Sequence, residues 1–414
     1  MASRKRVLLI AYHCASDDSV GALRPSAMAK YLPQNGIDVT VLACRAQRED
    51  IVIERDRIWV QDLTRETISV PIYYAWRAML MVLRAVGIYI GIHSFWQRKI
   101  LQHAEKIIQA VKPDYILVTY PPVEALEAGL ALSKKYNIPL IADFRDGLLF
   151  EPLELKSLRY SAVRKHYEKI ERQVVDVARL VLTVSEPISS YFTKNYLHRN
   201  VLTLHNGFDP EAEMSEETFN LDSGKTHIIH TGRLGASRSG TSGKNFGIAA
   251  LVGALDLLLQ RNSQIAQILQ IHFVGHLLSS ELETLEPMVK LGIIRCWGHL
   301  PRRKALAMQR NASVLLLITV PDKASVATGK LFEYLFADKP ILALTRGTEA
   351  ARIIEQAQAG IIVAPDSAED IAHAIEVLAQ PTFNFNPSKT VISTFSRDRQ
   401  MTLLAEQIKC LSHE

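Results

Sequence analysis

The chain alternates short, unbroken apolar runs with longer stretches of helical period, and after one polar interruption the alternation starts again. A strand covered by helices on both faces has no polar side. Apolar runs followed by helical stretches are therefore the sequence form of a parallel, doubly wound sheet. In the first half "VLLIAY", "DVTVLAC", "DYILVTY", "IPLIADF" and "RLVLTVS" supply strands, with helices expected over Gly21–Leu32, Val123–Lys135 and Lys156–Val175. "VLTLHNGFDP" then leads into the polar, irregular "AEMSEETFNLDSGK", which marks a boundary. The pattern resumes with "HIIHTGRLG", a helix over Asn245–Leu259, "IHFVGH", "GIIRCWGH", "SVLLLITV", "PILALT" and "GIIVAP". An amphipathic helix is expected near Ser396–Cys410. The expected fold is α/β: two Rossmann-like doubly wound domains, residues 1–207 and 208–394, facing each other across a cleft, with 395–414 a helix crossing back to the first. A length of 414 residues suits two such domains.

Several function classes are disfavoured. The run in "MASRKRVLLIAYHCASDD" is short and meets Asp17 and Asp18 without a small-residue cleavage site, so it reads as a buried strand rather than a secretory signal. Four scattered cysteines show no metal-ligand spacing and no disulfide framework, which fits a reducing cytoplasm. Residues 1–205 hold 28 Lys+Arg against 21 Asp+Glu, whereas the rest is slightly acidic. That asymmetry suits an anionic surface or substrate, or simply solvated helix faces; no basic-aromatic interleaving of nucleic-acid type stands out. The first strand-to-helix loop, "YHCASDDSVGALR", carries Gly21 but lacks Gly-x-Gly-x-x-Gly, so nicotinamide chemistry is disfavoured.

In parallel sheets, ligands bind at the carboxyl ends of the strands, so the strand-to-helix loops carry the chemistry. Gly21 lets backbone amides approach an anion or a sugar hydroxyl, or else only shapes a turn. "TGRLGASRSGTSGKNFG" offers Arg233 and Lys244 on a glycine-rich loop, suited to phosphate oxygens. In "ATGKLFEYLFADKP", Gly329 permits a tight turn, Lys330 sits at a helix start, and Glu333 lies one turn on. A helix N-terminus and an ammonium attract a diphosphate, and a carboxylate accepts two hydrogen bonds from a ribose diol. The alternative for Lys330 and Glu333 is a surface ion pair contributing a few tenths of a kcal/mol, roughly.

Taken together, "GRL…K", "GKLFEYLFADKPILAL", "HNGFD" and "IPLIADFRD", in order and over nearly the whole chain, resemble family 4 of the retaining, nucleotide-sugar-dependent glycosyltransferases with the GT-B fold. The resemblance implies that Arg233 and Lys244 grip the donor diphosphate and that Glu333 binds ribose. The first glutamate of the family's paired motif is replaced here by Ser325, which with Thr328, Gly329 and Leu331 would line the donor site. Asp146 and Arg145 are the catalytic candidates of the acceptor loop "ADFRDG", together with Arg233 and Lys244 on the donor side; Asp146 would orient or deprotonate the acceptor hydroxyl. Tyr12, His13, Arg24 and Asp143 are expected on the acceptor side. The resemblance implies no cofactor and no metal; consistent with the latter, no Asp-x-Asp triplet is present.

The implied activity is retaining transfer of a sugar from a nucleotide-diphosphate donor to a hydroxyl, on a lipid-linked or polysaccharide acceptor. Alternatives are a nucleotide-sugar epimerase and a catalytically silent binding protein. Residues 71–99, "PIYYAWRAMLMVLRAVGIYIGIHSFWQRK", are apolar but interrupted by Arg77 and Arg84, which argues against a membrane span. They fit a helical insertion packed on the first domain, the reading preferred here, or an amphipathic segment dipping into the membrane interface. The second would place a cytoplasmic enzyme peripherally on the inner membrane face.

Overall fold

The computed structural model describes the chain except residues 1–3, 15–19, 46–48, 65, 153–159, 198–199, 215–216, 235–246, 262–266, 320–322, 381 and 412–414. The chain divides into two compact units, residues 1–205 with 397–414, and residues 206–396.

The N-terminal unit is built on eight strands: β1 (Lys5–Ile10), β2 (Ile37–Cys44), β3 (Ile51–Ile53), β4 (Arg57–Val60), β5 (Tyr115–Tyr120), β6 (Leu140–Phe144), β7 (Ala178–Thr183) and β8 (Val201–Thr203). Their order is β3-β4-β2-β1-β5-β6-β7-β8. All pairings are parallel except β3 with β4. Val7 pairs with Val39 on one side and Tyr115 on the other, so β1 is central. Every residue of β5 and β6 is buried, as a strand under two helical layers requires. The chain leaves β1 toward β2 and later returns beside β1 as β5, which makes the β1/β5 junction the topological switch point of the sheet.

The C-terminal unit holds six parallel strands: β9 (Thr226–Thr231), β10 (Leu269–Val274), β11 (Ile294–Gly298), β12 (Val314–Ile318), β13 (Ile341–Leu344) and β14 (Gly360–Val363). The order is β11-β10-β9-β12-β13-β14. Here the switch point falls between β9 and β12, and the helix Gly329–Ala337 follows β12. That helix begins after Thr328 in extended conformation and ends at Asp338 in the left-handed region, ahead of Pro340.

The helix Arg397–Cys410 belongs to the N-terminal unit, where Met401, Leu404 and Ile408 join Met28 and Leu32 in one core cluster. Tyr115 Oη donates to Leu411 O at 2.8 Å beside it.

Residues 71–99 depart from the expected internal packing. The helix Val70–Ala85 buries only Leu80, and Val70, Ile72, Tyr74, Met79, Met81 and Val82 are exposed. The following helix, Ser94–Gln102, does pack inward through Trp96 and Ile100. Among the described residues no helix is long and apolar enough to cross a membrane.

Candidate active site

In the C-terminal unit the site grows from the end of β9. His230 is fully buried, and its Nδ1–H donates to Leu316 O at 2.9 Å, because a carbonyl can only accept. Nε2 therefore carries the lone pair, and Lys330 Nζ lies 3.4 Å from it. Burial, then the nearby Lys330 charge, hold the imidazole well below its ordinary pKa, so His230 stays neutral. Lys330 also donates to Arg233 O. Burial lowers the Lys330 pKa to about 8, against a smaller upward pull from Glu333 and then Glu281.

The chain leaves β9 at Gly232, with φ of +82°, a conformation in which a side chain is strained. Its N–H donates to Val274 O at 2.6 Å, and a Cβ there would stand 3.2 Å from Lys330 Cε. A Cβ on Gly275 would meet Gly232 O at 2.5 Å. The two glycines thus let the turns after β9 and β10 close on each other and leave room for the lysine. Arg233 is exposed directly after this turn.

The helix that carries Lys330 is locked to β9 by buried polar contacts. Tyr334 Oη accepts from Thr231 N at 2.9 Å, and Gln309 Nε2 donates to Thr231 Oγ1 at 2.8 Å. Glu333 faces the helix Arg302–Asn311: Arg302 Nη2 donates to its Oε1 at 2.8 Å and Gln309 Nε2 to its Oε2 at 3.4 Å. A carboxylate has further lone pairs, so this pairing orients Glu333 without exhausting its capacity. Thr328 Oγ1 is buried and has no partner among the described residues. Ser325 is half-buried on a loop pinned where Ala324 O and Val326 O accept the first amides of the helix Glu349–Ala357, at 2.7 and 3.0 Å. Of the expected donor-site residues, Lys330 reaches the backbone carbonyl of Arg233, Gly329 and Leu331 open the same helix, and Glu333 lies one turn along. Lys244 lies outside the described residues. His230, Gln309, Tyr334 and Arg302 were not foreseen, since each reads in sequence as ordinary core or surface.

The N-terminal unit corrects several expectations. Arg24 and Asp143, expected on the acceptor side, are only 3% and 0% exposed and form an ion pair at 2.7 Å. Asp143 also accepts from Thr119 Oγ1 at 2.9 Å, and Arg24 Nη1 donates to Leu204 O at 2.7 Å. Enclosed in this way, the pair ties the first helix to β6 and to the end of β8 rather than meeting a ligand. Arg145, expected to be catalytic, donates to three backbone carbonyls, Gly21, Tyr120 at 3.2 Å and Pro121 at 2.8 Å. It fastens the start of the helix Val20–Gln34 and the end of β5 to the loop after β6. Gly21 accordingly contributes its carbonyl to this knot. Tyr12 is also turned inward, its hydroxyl donating to buried Asp62 at 2.7 Å, and burial chiefly, then Cys44 and Asp62, raise its pKa. His13 packs edge-on against the Tyr12 ring at 4.8 Å. Asp146 is half-buried beside the Arg145 knot.

Among the described residues no three His, Cys, Asp or Glu side chains converge as a metal site. A family model described as a glycosyl transferase 4-like domain matches residues 22–207, and one for glycosyl transferases group 1 matches residues 228–380. No curated relative matches by sequence. Similar solved structures include sucrose-phosphate synthase from Thermosynechococcus elongatus, at 15% identity and TM-score 0.63, covering 99% of this chain and 100% of that one. An Escherichia coli trehalose-6-phosphate protein bound with UDP-2-fluoro glucose gives 13% identity and TM-score 0.65, over 99% and 100%. UDP-GlcNAc 2-epimerase from Methanocaldococcus jannaschii gives 13% identity and TM-score 0.56, over 98% and 99%. At such identities these likenesses establish the fold alone.

Proposed function

The chain belongs to the family 4-like glycosyltransferases of GT-B fold, and from that premise we propose that it moves a sugar, with retention, from a nucleotide-diphosphate donor to a lipid-linked or polysaccharide hydroxyl. The observation that carries the donor assignment is the placement of Lys330 Nζ at the end of β9, held by Arg233 O and neutral His230 beside a turn that only glycine fits well. A diphosphate there would meet an ammonium, the positive end of a helix and the guanidinium of Arg233. These groups stabilise the leaving diphosphate as its charge grows, with Lys244 adding a further cation. Glu333, oriented by Arg302, holds the ribose diol, while Ser325 and Thr328 meet the sugar. Asp146 orients the acceptor hydroxyl. The chemistry needs neither metal nor cofactor.

The exposed helix Val70–Ala85 supports a membrane-surface acceptor. Its exposed residues are apolar throughout, and its two arginines are half-buried, Arg77 over the Tyr73 ring at 5.9 Å and Arg84 over the Tyr89 ring at 5.6 Å. An uncharged apolar helix face on a basic unit suits an anionic bilayer interface.

The test is transfer of labelled sugar from uridine, guanosine and adenosine diphosphate sugars into a membrane extract carrying polyprenyl-phosphate-linked glycans. Transfer from one base family with retained anomeric configuration is expected. Release of free nucleoside diphosphate without a glycosylated product, for every donor, would contradict the reading.

A further inference from the structure

Asp146, which orients the acceptor hydroxyl in the reading above, stands between two anchors. On its N-terminal side, Arg145 is tied to the carbonyls of Gly21, Tyr120 and Pro121. On its C-terminal side the chain turns sharply at Gly147. A Cβ there would fall 1.5 Å from Phe150 O, so a side chain would break the turn. Glu151 follows with φ of +46°, in the left-handed region that side chains disfavour. A loop keeps such a conformation only when its surroundings over-determine it.

Here the surroundings converge on one buried carboxylate. Glu171, on the helix Ser161–Val177, is fully buried. Its Oε2 accepts from Leu149 N at 3.2 Å, and its Oε1 accepts from Tyr191 Oη at 2.7 Å and Tyr196 Oη at 2.6 Å. Burial raises its pKa, and the hydrogen bonds from Tyr196, Tyr191 and Leu149 oppose that rise. Both tyrosines belong to the helix Glu186–Tyr196. Phe150 stacks on the Tyr191 ring with centroids 5.2 Å apart, and Leu148 is fully buried.

Leu148, Leu149 and Phe150 are thus each held, one by packing, one by the carboxylate and one by a ring that the carboxylate itself orients. Apolar packing alone would fix such a loop without desolvating a charge. What Glu171 adds is direction, because three aimed donors leave the Leu149 amide one place to stand, three residues beyond Asp146.

We propose that Glu171 is a positioning residue: through Leu149 and the Gly147 turn it sets where the Asp146 carboxylate stands, and it touches no substrate itself. The inference rests on the glycosyl-transfer reading above, with Asp146 orienting the acceptor. All the residues it invokes belong to the N-terminal unit.

The test is a double-mutant cycle: transfer rates of wild type, Glu171→Gln, Asp146→Asn and the double variant, in the extract assay with the nucleotide sugar that the wild-type chain uses. Glutamine keeps the shape of Glu171 but turns one oxygen into an amide nitrogen that cannot accept. Glu171→Gln is expected to lower the rate about tenfold, with the thermal shift produced by the nucleotide sugar unchanged. Made in Asp146→Asn, the same change is expected to alter the rate less than about twofold, because the carboxylate it positions is gone. A merely structural loss would multiply with the first. Tyr191→Phe, which keeps the stack on Phe150, takes the place of Glu171→Gln should that variant fail to fold, and Asp146→Glu that of Asp146→Asn should its rate be too slow to measure. Wild-type rates in Glu171→Gln, a lost thermal shift, or losses that multiply in the double variant would overturn the proposal. A wild-type chain that transfers nothing from any donor, or wild-type rates in Asp146→Asn, would overturn instead the reading on which it rests.

Discussion

Lys330 Nζ lies 3.4 Å from the Nε2 of His230, a fully buried imidazole kept neutral by its burial, whose hydrogen bond to Leu316 O leaves Nε2 as the acceptor. The lysine is thereby placed where its charge is desolvated, and its pKa falls to about 8. A bound diphosphate favours the ammonium, so binding raises that pKa. The contribution of this charge to affinity is then fully present below the free-protein value of about 8 and is lost as pH rises through it. Calorimetry should show nucleoside diphosphate affinity falling up to about tenfold per pH unit above that point, with proton uptake on binding. Lys330→Met should bind weakly and without that slope.

Gly232→Ala tests the turn rather than the charge. The added methyl stands 3.2 Å from Lys330 Cε on a residue of φ +82°, and the left-handed conformation alone costs about 1–2 kcal/mol. Thermal unfolding should show a loss of that order, together with weakened diphosphate binding. Unchanged binding would mean that Lys330 need not be held there.

Arg24 and Asp143 give the contrasting case, a charged pair with no ligand role. Removing one member leaves the other buried and uncompensated, so Arg24→Met should destabilise the N-terminal unit by about 3–5 kcal/mol. Nucleoside diphosphate affinity measured below the unfolding transition should be unaffected.

The two sheets could be read from the sequence because strands buried on both faces are predominantly apolar, as Val314–Ile318 is throughout. The position of Lys330 and Glu333 on the first turns of a helix was legible because a glycine and a lysine at a helix start have a local meaning. The hairpin of β3 and β4 was not, since "IVIERDRIWV" mixes charges into short strands at the sheet edge. Nor was the burial of Arg24 by Asp143, separated by 119 residues, because pattern alone does not say which charges fold inward together. The same holds for Asp62 and His93, 31 residues apart on either side of the helix Val70–Ala85. His230 within an apolar strand reads as core, and only the fold shows a lysine at its second nitrogen.

The exposed face of the helix Val70–Ala85 predicts binding to vesicles of phosphatidylglycerol and phosphatidylcholine in a sedimentation assay. Replacing Met81 and Val82 with glutamate, both at exposed positions, should abolish it while leaving nucleotide binding intact. Self-association of the wild type in place of vesicle binding would assign the face to a second copy of the chain.

The central claim is that one pocket of the C-terminal unit, built around Lys330, Arg233 and Glu333, takes the donor. A thermal-shift panel of uridine, guanosine and adenosine diphosphate sugars, run on wild type, Lys330→Met and Glu333→Ala, tests it most directly. Stabilisation of the wild type by one base family, largely abolished in both variants, is the predicted result. Stabilisation that survives undiminished in both variants would contradict it.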